Sequence, residues 1–179
     1  MMRRLIFIFG IVQVLLLGAV PGIAAAQSAS AVPEYAMKAA YLYNFSLLTS
    51  WPNQPSGAFN LCVFGQDDFG PTLDGLQGKV VDSQQMRVLH ISRAEDAKQC
   101  QVVFIGDVEP KRVARLMAVI ERSPVLTITD DKRLQNDAMI YLAAENQRLV
   151  FEVNADTSKR ANLTFSSKLL RLAKRVVMQ

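Results

Sequence analysis

Residues 102–130 read VVFIGDVEPKRVARLMAVIERSPVLTITD. Val102-Val103-Phe104-Ile105 is continuously apolar, as a strand buried on both faces of a sheet should be, and Gly106 punctuates it. Pro110 suits the first turn of a helix, and Val113, Leu116, Met117 and Ile120 recur at helical spacing as far as Arg122. Pro124-Val125-Leu126-Thr127-Ile128-Thr129 is a second apolar run, stopped by Asp130-Asp131. Strand, amphipathic helix, strand is the repeating unit of a parallel sheet joined by right-handed crossovers.

Working upstream, the pattern repeats. Phe59 to Gly65 reads as a strand, Asp67 to Leu76 as a short helix, Gly78 to Val81 as an extended piece and Met86 to Ile91 as a strand, with a helical turn over Ala94 to Lys98 leading into Cys100. Before these, Tyr35 to Leu48 reads as a helix with Glu34 in its first turn. It is apolar almost all round, interrupted by Lys38, Asn44 and Ser46, so it must be buried or packed on a partner. Trp51-Pro52 ends it, and Pro55-Ser56-Gly57 makes a turn. Downstream, Met139 to Leu142 and Leu149 to Val153 flank Glu145-Asn146-Gln147 as an antiparallel hairpin. Asp156 to Ala161 suits one helical turn. Ser166 or Ser167 then caps a last helix with Leu169, Leu172, Ala173 and Val176 on one side and Lys168, Arg171, Lys174 and Arg175 on the other. The expected architecture is α/β: a three-layer, mostly parallel, flavodoxin-like sheet with helices on both faces and a C-terminal antiparallel hairpin.

The N-terminus has a different character. Arg3-Arg4 precedes an apolar run from Leu5 to Val20, followed by Pro21-Gly22-Ile23-Ala24-Ala25-Ala26. Charged start, apolar middle and small-residue end make a secretory signal peptide, 1–26, cleaved after Ala26 with Ala29 as the alternative site. Residues 27–33 form a short leader and 34–179 a single domain. A membrane anchor would need about 20 apolar residues and a stop-transfer flank. No Cys follows the cut, which argues against a lipoprotein, and no second long apolar run follows. The expected location is the periplasm.

The whole chain carries a formal charge of +4. Without Arg3 and Arg4 the exported part has 18 basic and 16 acidic side chains, a net charge of +2, which gives no case for nucleic acid. Cys62 and Cys100 are the chain's two cysteines. In an oxidising compartment an even pair reads as one disulfide, with two buried free thiols as the alternative. Cys62 lies within the first strand and Cys100 just before the third. A bridge therefore needs those elements about 6 Å apart at Cα, and they are neighbours in the flavodoxin-like strand order.

Chemistry is harder to find. Asp67, Asp68 and Asp107 follow strands, and Thr127 and Thr129 lie in one, as in a phosphate-accepting or Mg²⁺ site; but Asp at strand ends also caps helices and makes turns. No lysine motif completes that set. His90, the one histidine, lacks zinc-type spacing, so no metal is expected. There is no G-x-G-x-x-G, P-loop or G-x-S-x-G. Asn44-Phe45-Ser46 and Asn162-Leu163-Thr164 match a glycosylation sequon that is common by chance. No catalytic residues and no cofactor are expected, which points to binding.

Separated blocks resemble one family. Tyr35-Ala36-Met37-Lys38-Ala39-Ala40-Tyr41-Leu42-Tyr43-Asn44-Phe45 with Trp51-Pro52 resembles the opening helix of the YfiR family of small periplasmic proteins. Leu61-Cys62-Val63-Phe64-Gly65, Cys100 ahead of Val102-Val103-Phe104-Ile105, and Pro124-Val125-Leu126-Thr127-Ile128-Thr129-Asp130 resemble its strand blocks. Leu149-Val150-Phe151-Glu152-Val153-Asn154 and Ser166-Ser167-Lys168-Leu169-Leu170-Arg171-Leu172-Ala173 resemble its ending. The chain departs at Asp137-Ala138-Met139-Ile140, where the family often has Gly-Gly, and it lacks the second cysteine pair of some members. The resemblance implies a non-enzymatic regulator that binds the periplasmic sensor region of an inner-membrane diguanylate cyclase, represses it, and so lowers cyclic di-GMP and biofilm formation. It also implies tuning by the redox state of the disulfide, and a homodimer is compatible with it. Tyr35, Lys38, Tyr41, Asn44, Phe45 and Trp51 around the first helix, with Lys168 and Arg171 on the last, are the candidate partner-binding residues. The alternative is a periplasmic small-ligand binding or accessory protein, using the crevice expected at the sheet's carboxyl edge.

Overall fold

The central strands carry apolar side chains on both sides, so each needs cover from two layers. The computed structural model describes residues 33–52, 57–146 and 148–178. The expected signal peptide 1–26, most of the 27–33 leader, Pro55-Ser56 and Gln147 lie outside the described residues. In chain order the elements are α1 (Glu34–Leu47), β1 (Thr49–Ser50), β2 (Phe59–Phe64), β3 (Val80–Val81), β4 (Gln84–Ile91), β5 (Val102–Ile105), α2 (Pro110–Ile120), β6 (Leu126–Thr129), β7 (Ile140–Glu145), β8 (Arg148–Asn154), α3 (Ala155–Arg160), β9 (Thr164–Phe165), α4 (Ser167–Leu172) and β10 (Arg175–Val177). 3₁₀ turns occupy Gly70–Leu76, Ala94–Gln99 and Lys132–Leu134.

Eight strands form one sheet in the order β10-β8-β7-β6-β5-β2-β4-β3. From β4 through β7 every neighbouring pair is parallel. β8 returns antiparallel to β7, and β3 antiparallel to β4. The class is therefore mixed α/β with a mostly parallel sheet. Every residue of β5 and β6 is buried, whereas β8 alternates between buried and more exposed positions and β4 buries only Met86 and Ile91. Hydropathy thus ranks the strands from centre to edge.

Alternation along each strand separates two cores. Leu61 and Val63 of β2, Val102 and Phe104 of β5, and Leu126 and Ile128 of β6 pack in one cluster with Ala39, Leu42 and Phe45 of α1. Cys62, Phe64, Val103 and Ile105 enter the other, under Val113, Leu116 and Ile120 of α2 and Ala94 and Ala97 of the 94–99 turn. Although α1 looks apolar all round, it buries one stripe, Lys38, Ala39, Leu42, Phe45 and Ser46. Cys62 and Cys100 are joined, with their Cα atoms 6.0 Å apart and their positions 38 apart in sequence. Closing a loop of that length restricts the unfolded chain and stabilises the fold by about 3–4 kcal/mol.

Two expectations need correction. The β7–β8 hairpin is not the C-terminal edge, because the last helix stops at Leu172 and the chain continues as β10, parallel to β8. Ala173 N–H closes the final turn on Leu169 O, and Lys174 N–H then donates to Phe151 O at 2.8 Å. Val176 and Val177 are β-branched and suit the extended chain that takes up the free edge of β8. The helical layers are also uneven: the segment expected as a helix after β2 is 3₁₀, as is the link from β6 to β7, and the expected helical turn before β5 is a 3₁₀ turn over Ala94–Gln99, so α2 crosses from β5 to β6 while α3 and α4 lie in the crossover from β8 to β10.

The two cores are separately testable. Leu42→Ala and Leu116→Ala each empty a fully buried site and should each cost about 2–5 kcal/mol in denaturant unfolding. Losses below 1 kcal/mol at both sites would contradict this packing.

Candidate interaction surface

The N-terminus of α1 sits over the carboxyl end of β6. Lys38, 5% exposed, pairs with Asp130 and Glu34, each at 2.6 Å, and its ammonium lies 4.1 Å from the centre of the Tyr35 ring. The Tyr35 hydroxyl donates to Asp68 at 3.2 Å and Asp130 at 3.3 Å. Burial first, and then the charge of Asp130, push the Tyr35 phenol up to about 12 against the opposing charge of Lys38. Burial works against the Lys38 ammonium, but the hydrogen bonds to Asp130 and Glu34 outweigh it and raise its pKa. Breaking such a pair from one side leaves a buried charge without its partner. Lys38 is thus a locking residue with almost no surface to offer a partner.

Beside this lock, the carboxyl ends of β2 and β5 mark the point where strand order reverses, the usual ligand crevice of open α/β sheets. Here it is stitched by backbone. Gln66 N–H donates to Asp107 O at 2.9 Å and Asp107 N–H to Gln66 O at 2.8 Å. Gly65 has φ +97°, and a Cβ on Gly106 would meet Gln66 O at 1.9 Å, so both glycines are required. On one side of the stitch is an open crevice of about 740 Å³, lined by His90, Arg112 and Arg133 among others. On the other is a cavity of about 300 Å³ containing Tyr35, Asp68, Asp130 and Asp131.

The acidic residues are engaged locally. Asp67 accepts from Phe69 N–H at 2.9 Å and lies 3.3 Å from His90 Nε2. Arg133 pairs with Asp131 at 2.6 Å and Asp107 at 3.2 Å, and its hydrogen bond holds the Asp131 carboxyl below its ordinary value. Thr129 donates to Ile105 O, and Thr127 accepts from Met139 N–H. Among the described residues no group of three or more His, Cys, Asp or Glu could hold a metal ion.

At the opposite end of α1 a groove of about 480 Å³ runs between α1, β8 and α4. Tyr41, Asn44, Phe45 and Lys168 line it, together with Leu169 and Leu172. Its floor is an edge-to-face cluster of Tyr41, Phe45 and Phe151, and the Tyr41 hydroxyl donates to Leu149 O at 3.3 Å. The walls are tied together: β1 pairs with β9, Ser166 N–H donates to Leu48 O at 2.9 Å, and Ser166 Oγ caps α4 by accepting from Leu169 N–H.

The expected contact residues therefore divide. Tyr41, Asn44 and Lys168 meet at this groove; Phe45 is in its floor and 1% exposed. Arg171 stands on the exposed side of α4. Tyr35 and Lys38 belong to the lock. Trp51 is elsewhere, edge-to-face on Phe59 at 5.1 Å, with its indole N–H donating to Gln101 O at 3.3 Å. Sequence reasoning missed two exposed leucines: Leu172, 62% exposed and lining the groove, and Leu47, 45% exposed and next in the chain to the groove residue Leu48. Leu172 had an expected place in a buried stripe, but the helix ends on it and its cover is lost. Lys174 pairs with Glu145 at 2.5 Å and Arg175 with Glu152, whereas Lys168 and Arg171 have no ion pair among the described residues. Burial opposes charge on Glu152, but Arg175 and Gln135 outweigh it and hold its carboxyl low.

A family model described as YfiR/HmsC-like matches residues 35–174. The chain belongs to the YfiR/HmsC-like family. The match takes in the lock, the disulfide and the groove, and stops just before β10. Two cytoplasmic dynein heavy chains, from Fusarium vanettenii and Neurospora crassa, are each 32% identical over 74 residues, 41% of this chain and 2% of the dynein. So small a share of the motor chain transfers none of its activity to this YfiR/HmsC-like protein.

Two outcomes follow from the carboxyl edge. Gly106→Ala should cost about 1–3 kcal/mol in urea unfolding, since the backbone must part to admit the methyl; an unchanged midpoint would contradict the stitch. Folded Tyr35 and Lys38 both keep protons that the unfolded chain releases from about pH 10 upward. Their contribution to stability is complete below that pH and falls as pH rises toward 12. Tyr35→Phe should flatten the fall and remove a phenolate absorbance step near pH 12 that the wild type shows.

Proposed function

We propose that this chain is exported to the periplasm and acts there as a non-enzymatic regulator, binding the periplasmic sensor region of an inner-membrane diguanylate cyclase and repressing it. Cyclic di-GMP and biofilm formation would fall in consequence. Family membership over residues 35–174 carries the proposal. The order Arg3-Arg4, apolar run, Ala24-Ala25-Ala26 supports export with cleavage after Ala26, leaving the 27–33 leader and one domain, 34–179. On this reading the scaffold is a flavodoxin-like, three-layer arrangement whose α1–α4 side meets the partner. Tyr41, Leu47 and Leu172 supply apolar and aromatic area, Asn44 supplies a side-chain amide, and Lys168 and Arg171 supply charge for carboxylates on the other surface.

The test is cellular. Deleting the gene should raise cyclic di-GMP, and the wild-type gene should restore it, whereas Lys168→Glu with Arg171→Glu should restore it poorly while folding normally by circular dichroism. Unchanged cyclic di-GMP after deletion would count against the regulatory role. Full restoration by the double variant would count against the α4 contact alone.

A second reading, a periplasmic small-ligand binding or accessory protein, is favoured by one observation, the 740 Å³ crevice beside the Gln66–Asp107 stitch. Thermal shifts against a metabolite panel separate the two: a strong ligand shift with no captured partner would favour the second.

A further inference from the structure

The disulfide lies deep in the second core. Cys62 is 0% and Cys100 2% exposed, and around them stand Phe64, Val103, Ile105 and Leu116. Reducing a disulfide requires a thiolate to reach one of its sulfurs, and here neither is open to solvent. β2 is paired on both sides, and α2 is anchored by Val113, Leu116 and Ile120. The remaining cover is slight. The 3₁₀ turn Ala94–Gln99 buries only the methyl groups of Ala94 and Ala97, and Cys100 ends it, donating its N–H to Ala97 O at 3.1 Å. From outside it is held to α2 by Arg115, whose Nε and Nη2 donate to Glu95 at 3.0 and 2.5 Å. The Arg93–Asp96 pair lies within the turn and its flank.

We infer that the Cys62–Cys100 bridge is a sealed staple and that the Ala94–Gln99 turn is its gate: a reductant reaches Cys100 only when this turn lifts, independently of the rest of the fold. Short segments that bury few side chains open at lower free energy than the whole domain; this one buries two methyl groups, and its other ties are surface hydrogen bonds, Asn60 Nδ2 to Gln99 O at 2.8 Å and, on its flank, Arg112 Nη2 to Ser92 O at 2.8 Å. Once the gate is open, a thiolate of a dithiol attacks Cys100 Sγ, the S–S bond breaks and Cys62 leaves as a thiolate. The dithiol's second thiolate then attacks the mixed disulfide and releases Cys100. Two electrons pass from the dithiol to the bridge, two protons complete the protein thiols, and the reductant ends as its own cyclic disulfide. Any redox input would therefore enter on the α2 face, across the sheet from the α1–α4 groove.

The experiment measures free thiol by maleimide labelling during exposure of the folded protein to dithiothreitol, across low urea concentrations. The expected wild-type rate is far below that of the unfolded chain and flat in low urea, since a local opening exposes little surface. Ala97→Gly, which removes a buried methyl and loosens the turn, should speed reduction about tenfold. Arg115→Ala should speed it less. Leu42→Ala, which weakens the fold from the other core, should leave the native rate unchanged. Three results would overturn the inference: native reduction as fast as in the unfolded chain, a rate that climbs steeply with the first additions of urea, or Leu42→Ala matching Ala97→Gly.

Discussion

Parallel pairing of β2 with β5, two strands sealed on both faces, is the constraint on which the rest of the molecule depends. Their side chains alternate, so Leu61, Val63, Val102 and Phe104 need one cover, while Cys62, Phe64, Val103 and Ile105 need another. α1 supplies the first and α2 with the 94–99 turn the second. The pair is also fastened at both ends. At the amino end Gln101 N–H donates to Asn60 O and the Gln101 side chain accepts from Asn60 N–H. At the carboxyl end the Gln66–Asp107 stitch closes the point where an open α/β sheet would ordinarily receive a ligand.

What was legible in the sequence follows from what periodicity can report. Val102 to Ile105 and Leu126 to Thr129 announced central strands because they are apolar without interruption, and Val113, Leu116 and Ile120 announced α2 because a single helix decides that spacing. The adjacency of Cys62 and Cys100 could be anticipated from their places beside strands. β10 could not, since Ala173-Lys174-Arg175-Val176 continues the helical stripe, and only the free edge of β8 diverts it. The β1–β9 pair is two residues long on each side, too short for any pattern. Lys38 looked like a surface break in an apolar helix; its burial depends on Asp130, ninety-two positions away in sequence, and no local signal carries that.

The candidate site was legible in part for the same reason. The basic side of the last helix was visible as Lys168 and Arg171, but Lys174 and Arg175 leave that side when the chain turns into β10 and find Glu145 and Glu152. What remains is a smaller surface: Lys168 and Leu172 at a groove with an aromatic floor, and Arg171 on the exposed side of α4, the two cations without an ion pair among the described residues. The lock at one end of α1 and the β1–β9 tie at the other brace this surface, so the proposed contact would need little ordering of the chain. The disulfide lies on the far side of the sheet, which separates what stabilises the domain from what it presents.

The most direct test of the proposed contact is hydrogen exchange on the intact protein, with and without the purified periplasmic region of the proposed diguanylate cyclase partner. The account predicts added protection in 40–48 and 166–173, the two walls of the groove, and none in 94–105 around the disulfide. Protection confined to the carboxyl edge, at 65–68 and 106–110, or no protection at saturating partner, would contradict it.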